Sequence, residues 1–208
     1  KDILGAGADM ALPEAARIVA EEGPEALKEL LLDWAKVPFA RDRKGRLLFG
    51  EEAAHSSRRI LYSTDQTGRA ITTAVMAYLK RKTDIELRAG EMAVEILTVP
   101  HHSGNPLSVY RRPFCVGAYL YNIRERRVHA FFADRVVLAT GGIGQLYRCT
   151  TNPEVATGDG IALAWRAGCR VINMEYTQFH PTTLAGPGAG NFLISEAVRG
   201  EGAVLLNP

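Results

Sequence analysis

At 208 residues the chain is long enough for one well-packed core, or for one domain and part of a second. Its 47% hydrophobic and 23% charged composition is that of an ordinary globular protein, and a net charge of +2 argues against a dedicated nucleic-acid surface. No apolar run approaches the roughly 20 residues of a helical membrane span, and Cys115, Cys149 and Cys169 are too scattered for a zinc site and fit a reducing cytoplasm.

Lys1-Asp2-Ile3-Leu4 shows no signal peptide. The missing initial Met and the ending at Leu206-Asn207-Pro208 make a piece of a longer protein the expectation. Residues 12–35 predict two helices. Pro13 suits a first helical position, where its missing N–H has no partner to lose. Ile18 and Val19 are expected to face a core, with Gly23-Pro24 ending one helix and starting the next. Leu27, Leu30, Leu31 and Trp34 recur at helical spacing opposite Glu25, Lys28, Glu29 and Asp33, which is packing rather than chemistry.

Residues 37–49 read as a hairpin turning at Arg41-Asp42-Arg43-Lys44-Gly45, a solvated basic tip. Residues 49–59 are dense in Glu, His and Arg without periodicity, which leaves a functional loop and a solvated one equally open. Asp65-Gln66-Thr67-Gly68 offers an N-cap for a helix with Ile71, Val75 and Leu79 on one face. Strand-like stretches follow at 85–89, 92–99, 114–122 and 128–133. His101-His102 in the loop between two of them have no third ligand at metal spacing, so no metal site is expected. A helix followed by a β-meander makes the chain a mixed α/β (α+β) fold.

The chemistry gathers in residues 135–160. Val136-Val137-Leu138-Ala139 predicts a buried strand that breaks at Thr140-Gly141-Gly142, where glycine permits φ > 0 and close approach of another molecule to the main chain. A second bare turn, Gly158-Asp159-Gly160, opens a helix closed by Gly168. Two such turns, the second at a helix N-terminus, suit a long polar cofactor. A strand over 170–178 is expected to deliver Phe179-His180-Pro181-Thr182, and glycine-rich 186–190 reads as a domain boundary. Glu196 and Arg199 stand at i, i+3 on one helical face. They read as a surface ion pair worth under ~1 kcal/mol, or, with Ser195 and His180 beside glycine turns, as part of an anionic-substrate site.

Ala139-Thr140-Gly141-Gly142, Thr157-Gly158-Asp159-Gly160, Gln178-Phe179-His180-Pro181-Thr182 and residues 195–202, in that order, resemble the flavoprotein family of succinate dehydrogenase, fumarate reductase and L-aspartate oxidase. Residues 52–61, Asp65-Gln66-Thr67-Gly68-Arg69, Thr151-Asn152-Pro153 and residues 164–169 are similar to the L-aspartate oxidase branch. The resemblance implies a partial FAD-binding (glutathione-reductase-like) domain over residues 1–180, without its N-terminal βαβ unit, and the start of a substrate-capping domain over 181–208. It implies FAD contacts from Thr140, Gly141, Gly142 and Asp159, with the backbone of Met92 and Ala93 at the adenine end. It further implies a substrate carboxylate held by His180 and Ser195, a proton relay through Glu196 and Arg199, and Glu52 facing the substrate ammonium.

That last role has a physical basis. Aspartate differs from succinate by one amino group, charged at neutral pH, and a carboxylate facing it makes a charge-assisted hydrogen bond worth roughly 1.5–3 kcal/mol. The dicarboxylate enzymes of the family tend to carry an aromatic residue there, which would leave the ammonium desolvated and weakly paired. The implied reaction takes a hydride from the α-carbon of L-aspartate to the flavin, with oxygen or fumarate as final acceptor. Its product, iminoaspartate, feeds quinolinate synthase in cytoplasmic NAD biosynthesis. The alternatives are a fumarate reductase or succinate dehydrogenase flavoprotein subunit, a catalytically inactive folded module, or an α/β binding domain unrelated to flavin. The isolated 208 residues are expected to bind FAD weakly or not at all and to be inactive.

Overall fold

Two units divide the chain, Lys1–Leu87 with Ser195–Pro208 and Arg88–Ile194. The computed structural model describes residues 1–8, 10–51, 55–64, 66–82, 84–180, 182–184, 192–194, 198, 202–204 and 206. Among them no helix is long and apolar enough to cross a membrane.

In the first unit a short α1 (Asp2–Ala6) precedes α2 (Pro13–Leu27), with Pro13 in its first turn. The expected break at Gly23-Pro24 does not occur, because Pro24 lies inside α2. Glu25, Ala26 and Leu27 beyond it are strong helix formers and carry the helix onward. Ile18 and Val19 do not face a core; they are 40% and 62% exposed. The chain then widens into a π-helical turn, Lys28–Trp34, in which the Ala35 N–H reaches back to the Leu30 carbonyl at 3.0 Å. A wider turn changes which side chains point inward. Leu31 and Leu32 pack on the buried Ala35, Val37 and Phe39, while Leu30 and Trp34 stay half exposed.

The hairpin over 37–49 is present in reduced form, as a single antiparallel bridge between Arg41 and Leu47. Gly45 turns it at φ +79°, and the Asp42 carboxylate accepts from the N–H groups of Lys44 and Arg46 at 2.8 and 2.9 Å. Strands β1 (Phe49–Gly50) and β2 (Ile60–Leu61) pair antiparallel, Phe49 opposite Leu61 and Gly50 opposite Ile60. Helix α3 (Thr67–Leu79) lays Ala70, Ile71, Ala74, Val75 and Tyr78 on the same core. Asp65, the expected cap, lies outside the described residues.

The second unit is built on the expected meander. Strands β3 (Glu91–Thr98), β4 (Cys115–Asn122) and β5 (Arg127–Phe132) form one antiparallel sheet in sequence order. Residues 85–89 carry no ladder, since Gly90 turns the chain at φ +77° immediately before β3. His101 and His102 end a helical turn, α4 (Val99–His102), and the Nδ1 of His102 lies 3.1 Å from the backbone of Thr98. Gly117 sits at φ +148° where the β3–β4 register shifts, and a Cβ there would strike the Phe131 carbonyl of β5.

Residues 136–139 are not a strand: no ladder partner pairs with them among the described residues, and Val137 is 87% exposed while Val136 packs inward. Helix α5 (Asp159–Arg166) buries Leu163 against Ile96 of β3, with Ala93 and Cys115 around them. The strand expected over 170–178 is also absent. Asn173 at φ +60° turns the chain instead, and the Tyr176 N–H closes onto the Asn173 carbonyl at 3.2 Å. A two-stranded ribbon of β6 (Thr183–Leu184) and β7 (Phe192–Leu193) follows. The boundary read at 186–190 lies outside the described residues.

Candidate functional site

The glycines of residues 135–160 divide into two groups by what surrounds them. Gly141 adopts φ +76°, and a Cβ added at Gly141 or Gly142 would meet nothing within 4 Å. The main chain there is bare and open on that side, a cradle any side chain would fill. Gly158 also has positive φ, +79°, but its missing side chain is replaced by Ile143, whose Cγ1 would lie 2.7 Å from a Cβ. The space beside Gly160 is likewise taken by the Thr140 side chain, and that beside Gly144 by Asn152. The second turn is therefore not a second open wall. Its glycines let the start of α5 close against the first turn, and the Gly158 N–H donates to the Gly142 carbonyl at 3.1 Å.

This closure brings two of the expected cofactor residues together. Thr140 rests on Gly160 and Asp159 is the next residue back, at the start of α5, where a helix N-terminus favours negative charge. The Thr157 hydroxyl donates to Asp159 Oδ2 at 2.7 Å and fixes the carboxylate. Met92 and Ala93 lie across the sheet from Tyr121 and Leu120. Ala93 packs on the core shared with α5, and Met92 is half exposed.

The loop after the glycine turn leads to His180. The backbone of Gln145 bonds Ala156 at 2.9 Å and its amide reaches the Asn152 carbonyl at 2.9 Å, folding residues 144–156 back on themselves. Against that fold the Tyr147 ring meets Phe179 edge-on at 6.1 Å, and its hydroxyl lies 3.1 Å from that of Thr177. The result is a cleft of about 230 Å³ lined by Gly144, Tyr147, Thr150, Asn152, Gln178 and His180 among others. His180 is half buried, and its Nδ1 faces the Thr182 carbonyl at 2.9 Å and the Thr182 N–H at 3.2 Å, taking one role or the other with its tautomer. A half-buried imidazole among hydroxyl and amide groups suits an anionic ligand. Glu52, Ser195, Glu196 and Arg199 lie outside the described residues.

Two contributors escaped sequence reasoning. Arg166, in the last turn of α5, donates to Glu95 Oε2 and to the Val94 carbonyl, both at 3.1 Å. Val94 is the residue skipped by the β3–β4 register, so Arg166 satisfies a bulge carbonyl and ties α5 to the strand carrying Met92 and Ala93. Asp2 accepts from the Ser56 N–H at 2.9 Å, the Ser56 hydroxyl at 3.0 Å and the Arg59 guanidinium. Those contacts, led by the Ser56 N–H, hold the Asp2 carboxyl well below the ordinary carboxylate range. No local signal marks either residue, because the partners lie some seventy and fifty-four positions away.

Residues 1–208 match the family model described as FAD binding domain. The chain is 43% identical over 209 residues to L-aspartate oxidase 1 of Ralstonia nicotianae, covering 100% of this chain and 38% of that protein. It is 41% identical over 215 residues to the L-aspartate oxidase of Pseudomonas aeruginosa, with the same coverage of both. The chain thus spans 38% of the length of these relatives. Its fold is similar to that of an E. coli quinol fumarate reductase structure, with TM-score 0.83 and 24% identity over 99% of this chain and 32% of the other.

Proposed function

Since the chain belongs to the FAD binding domain family over its whole length, we propose that its parent protein oxidises L-aspartate in the biosynthesis of NAD. FAD is the cofactor, and when bound it supplies the two-electron acceptor. The observation that carries the substrate is an overall identity near 40% to L-aspartate oxidases in alignments that cover the whole chain. What supports the cofactor role of Thr140, Gly141, Gly142 and Asp159 is the open main chain at Gly141 and Gly142, beside a carboxylate fixed at the start of α5. Met92 and Ala93 meet the adenine end of the cofactor, on the strand that Arg166 braces.

In this reading His180 and Ser195 orient a substrate carboxylate, Glu52 pairs with the substrate ammonium, and Glu196 and Arg199 carry a proton. Residues 1–180 are the FAD-binding part and 181–208 begin the cap over the substrate. Oxygen or fumarate takes the electrons, quinolinate synthase takes the product, and the setting is the cytoplasm. The test is turnover of the full-length protein, supplied with FAD, on L-aspartate and on succinate. Aspartate turnover about ten- to a hundredfold above succinate is expected from a charge-assisted bond of roughly 1.5–3 kcal/mol. Equal rates, or succinate alone, would overturn it.

A further inference from the structure

Residues 170–180 bring His180 to the cleft with neither a ladder nor a helix. The bonds inside that segment are local: the Tyr176 N–H donates to the Asn173 carbonyl at 3.2 Å and the Thr177 N–H to the Glu175 carbonyl at 3.1 Å. The His180 ring is set against its own backbone, since Nδ1 meets the carbonyl and the N–H of Thr182, two residues on. Contacts of that kind orient the ring on its segment but do not place the segment. Tyr147 reaches it from outside. Its hydroxyl lies 3.1 Å from that of Thr177, and its ring meets Phe179 edge-on at 6.1 Å. A hydroxyl bond and an edge-to-face pair both fix direction as well as distance.

Tyr147 is itself anchored to the glycine turn. Its N–H donates to the Gly144 carbonyl at 3.2 Å, and the Leu146 N–H to the Ile143 carbonyl at 3.0 Å. Ile143 is the residue that fills the space beside Gly158. Tyr147, Thr177, Phe179 and His180 line one cleft and belong to one unit.

We propose that Tyr147 is a positioning residue for substrate: by holding Thr177 and Phe179 it sets His180 in the cleft, at a fixed place relative to the glycine turn. This rests on the function proposed above, in which His180 holds a substrate carboxylate. An imidazole displaced from that carboxylate weakens binding, so loss of Tyr147 raises KM for L-aspartate more than it lowers kcat.

The test uses full-length protein loaded with FAD. Tyr147→Ala is expected to raise KM for L-aspartate about tenfold, with kcat within about threefold and flavin content unchanged. Tyr147→Phe keeps the ring and is expected to raise it only about threefold, the loss of one hydroxyl bond. Thr177→Val should match Tyr147→Phe, and the two together should add less than about twofold to either, because they remove the same bond. In a His180→Ala background Tyr147→Ala is likewise expected to add less than about twofold. An unchanged KM in Tyr147→Ala, a full tenfold added on top of His180→Ala, or a loss confined to melting temperature and flavin content would overturn the role. If His180→Ala raises KM and Tyr147→Ala does not, the positioning role alone falls. If His180→Ala leaves KM unchanged, the substrate role of His180 falls and this one with it. Should Tyr147→Ala not fold, Tyr147→Phe and Thr177→Val carry the same comparison.

Discussion

Replacing Gly160 by alanine tests how the two glycine turns fit together. Gly160 is the second residue of α5, and a Cβ there would overlap the Thr140 hydroxyl and lie 2.9 Å from Thr140 Cβ and 3.1 Å from Cγ2. Helix propensity alone favours alanine by up to about 1 kcal/mol. Forcing a methyl group into an occupied site costs about 1–3 kcal/mol. The second effect wins, and Gly160→Ala is expected to destabilise the protein by up to about 2 kcal/mol. If Thr140 contacts FAD as proposed, it is also expected to weaken FAD binding, because the added methyl displaces the Thr140 side chain. Urea unfolding of the full-length protein gives the first quantity and a flavin-fluorescence titration the second. A variant more stable than the parent, with unchanged FAD affinity, would show that Thr140 does not fill the space beside Gly160.

Other expectations follow from single contacts. Gly117→Ala places a Cβ against the Phe131 carbonyl at a φ of +148°, and a loss of at least about 2 kcal/mol in thermal or urea unfolding is expected. Arg166→Met keeps the stem but removes the bonds to Glu95 and the Val94 carbonyl; a loss of about 1 kcal/mol is expected, with amide exchange in β3 accelerated. Arg88, bonded at 2.8 Å, is the first cause holding the Glu91 carboxyl below its ordinary range. A lowered carboxylate contributes stability that is present above its unfolded value and lost as pH falls through the folded one. Arg88→Met should therefore flatten the acid side of the stability profile and leave its neutral-to-alkaline slope unchanged.

Much of the fold was legible because it depends on near neighbours. The meander strands, α3 and α5 each carry their own periodicity and bounding turns. What failed depended on partners elsewhere. Residues 136–139 have the composition of a buried strand, yet a strand exists only through its ladder. Pro24 signals a helix end because it lacks an N–H and crowds the carbonyl four residues back, yet it lies inside α2, where Glu25, Ala26 and Leu27 favour helix. The glycines at 158 and 160 announced small residues but not what occupies the space they leave, and Ile143 and Thr140 occupy it. In the candidate site His180, Thr140 and Asp159 stood out by motif. Asp2 and Arg166 did not, since a lone acidic or basic residue gains meaning only from its distant acceptors and donors.

The claim at the centre of this account is that Glu52 decides between aspartate and succinate, and one ratio measures it. In full-length protein carrying FAD, kcat/KM for L-aspartate divided by that for succinate should fall at least about tenfold in Glu52→Phe, from loss of a charge-assisted bond of roughly 1.5–3 kcal/mol. An unchanged ratio would contradict the assignment of the ammonium to Glu52.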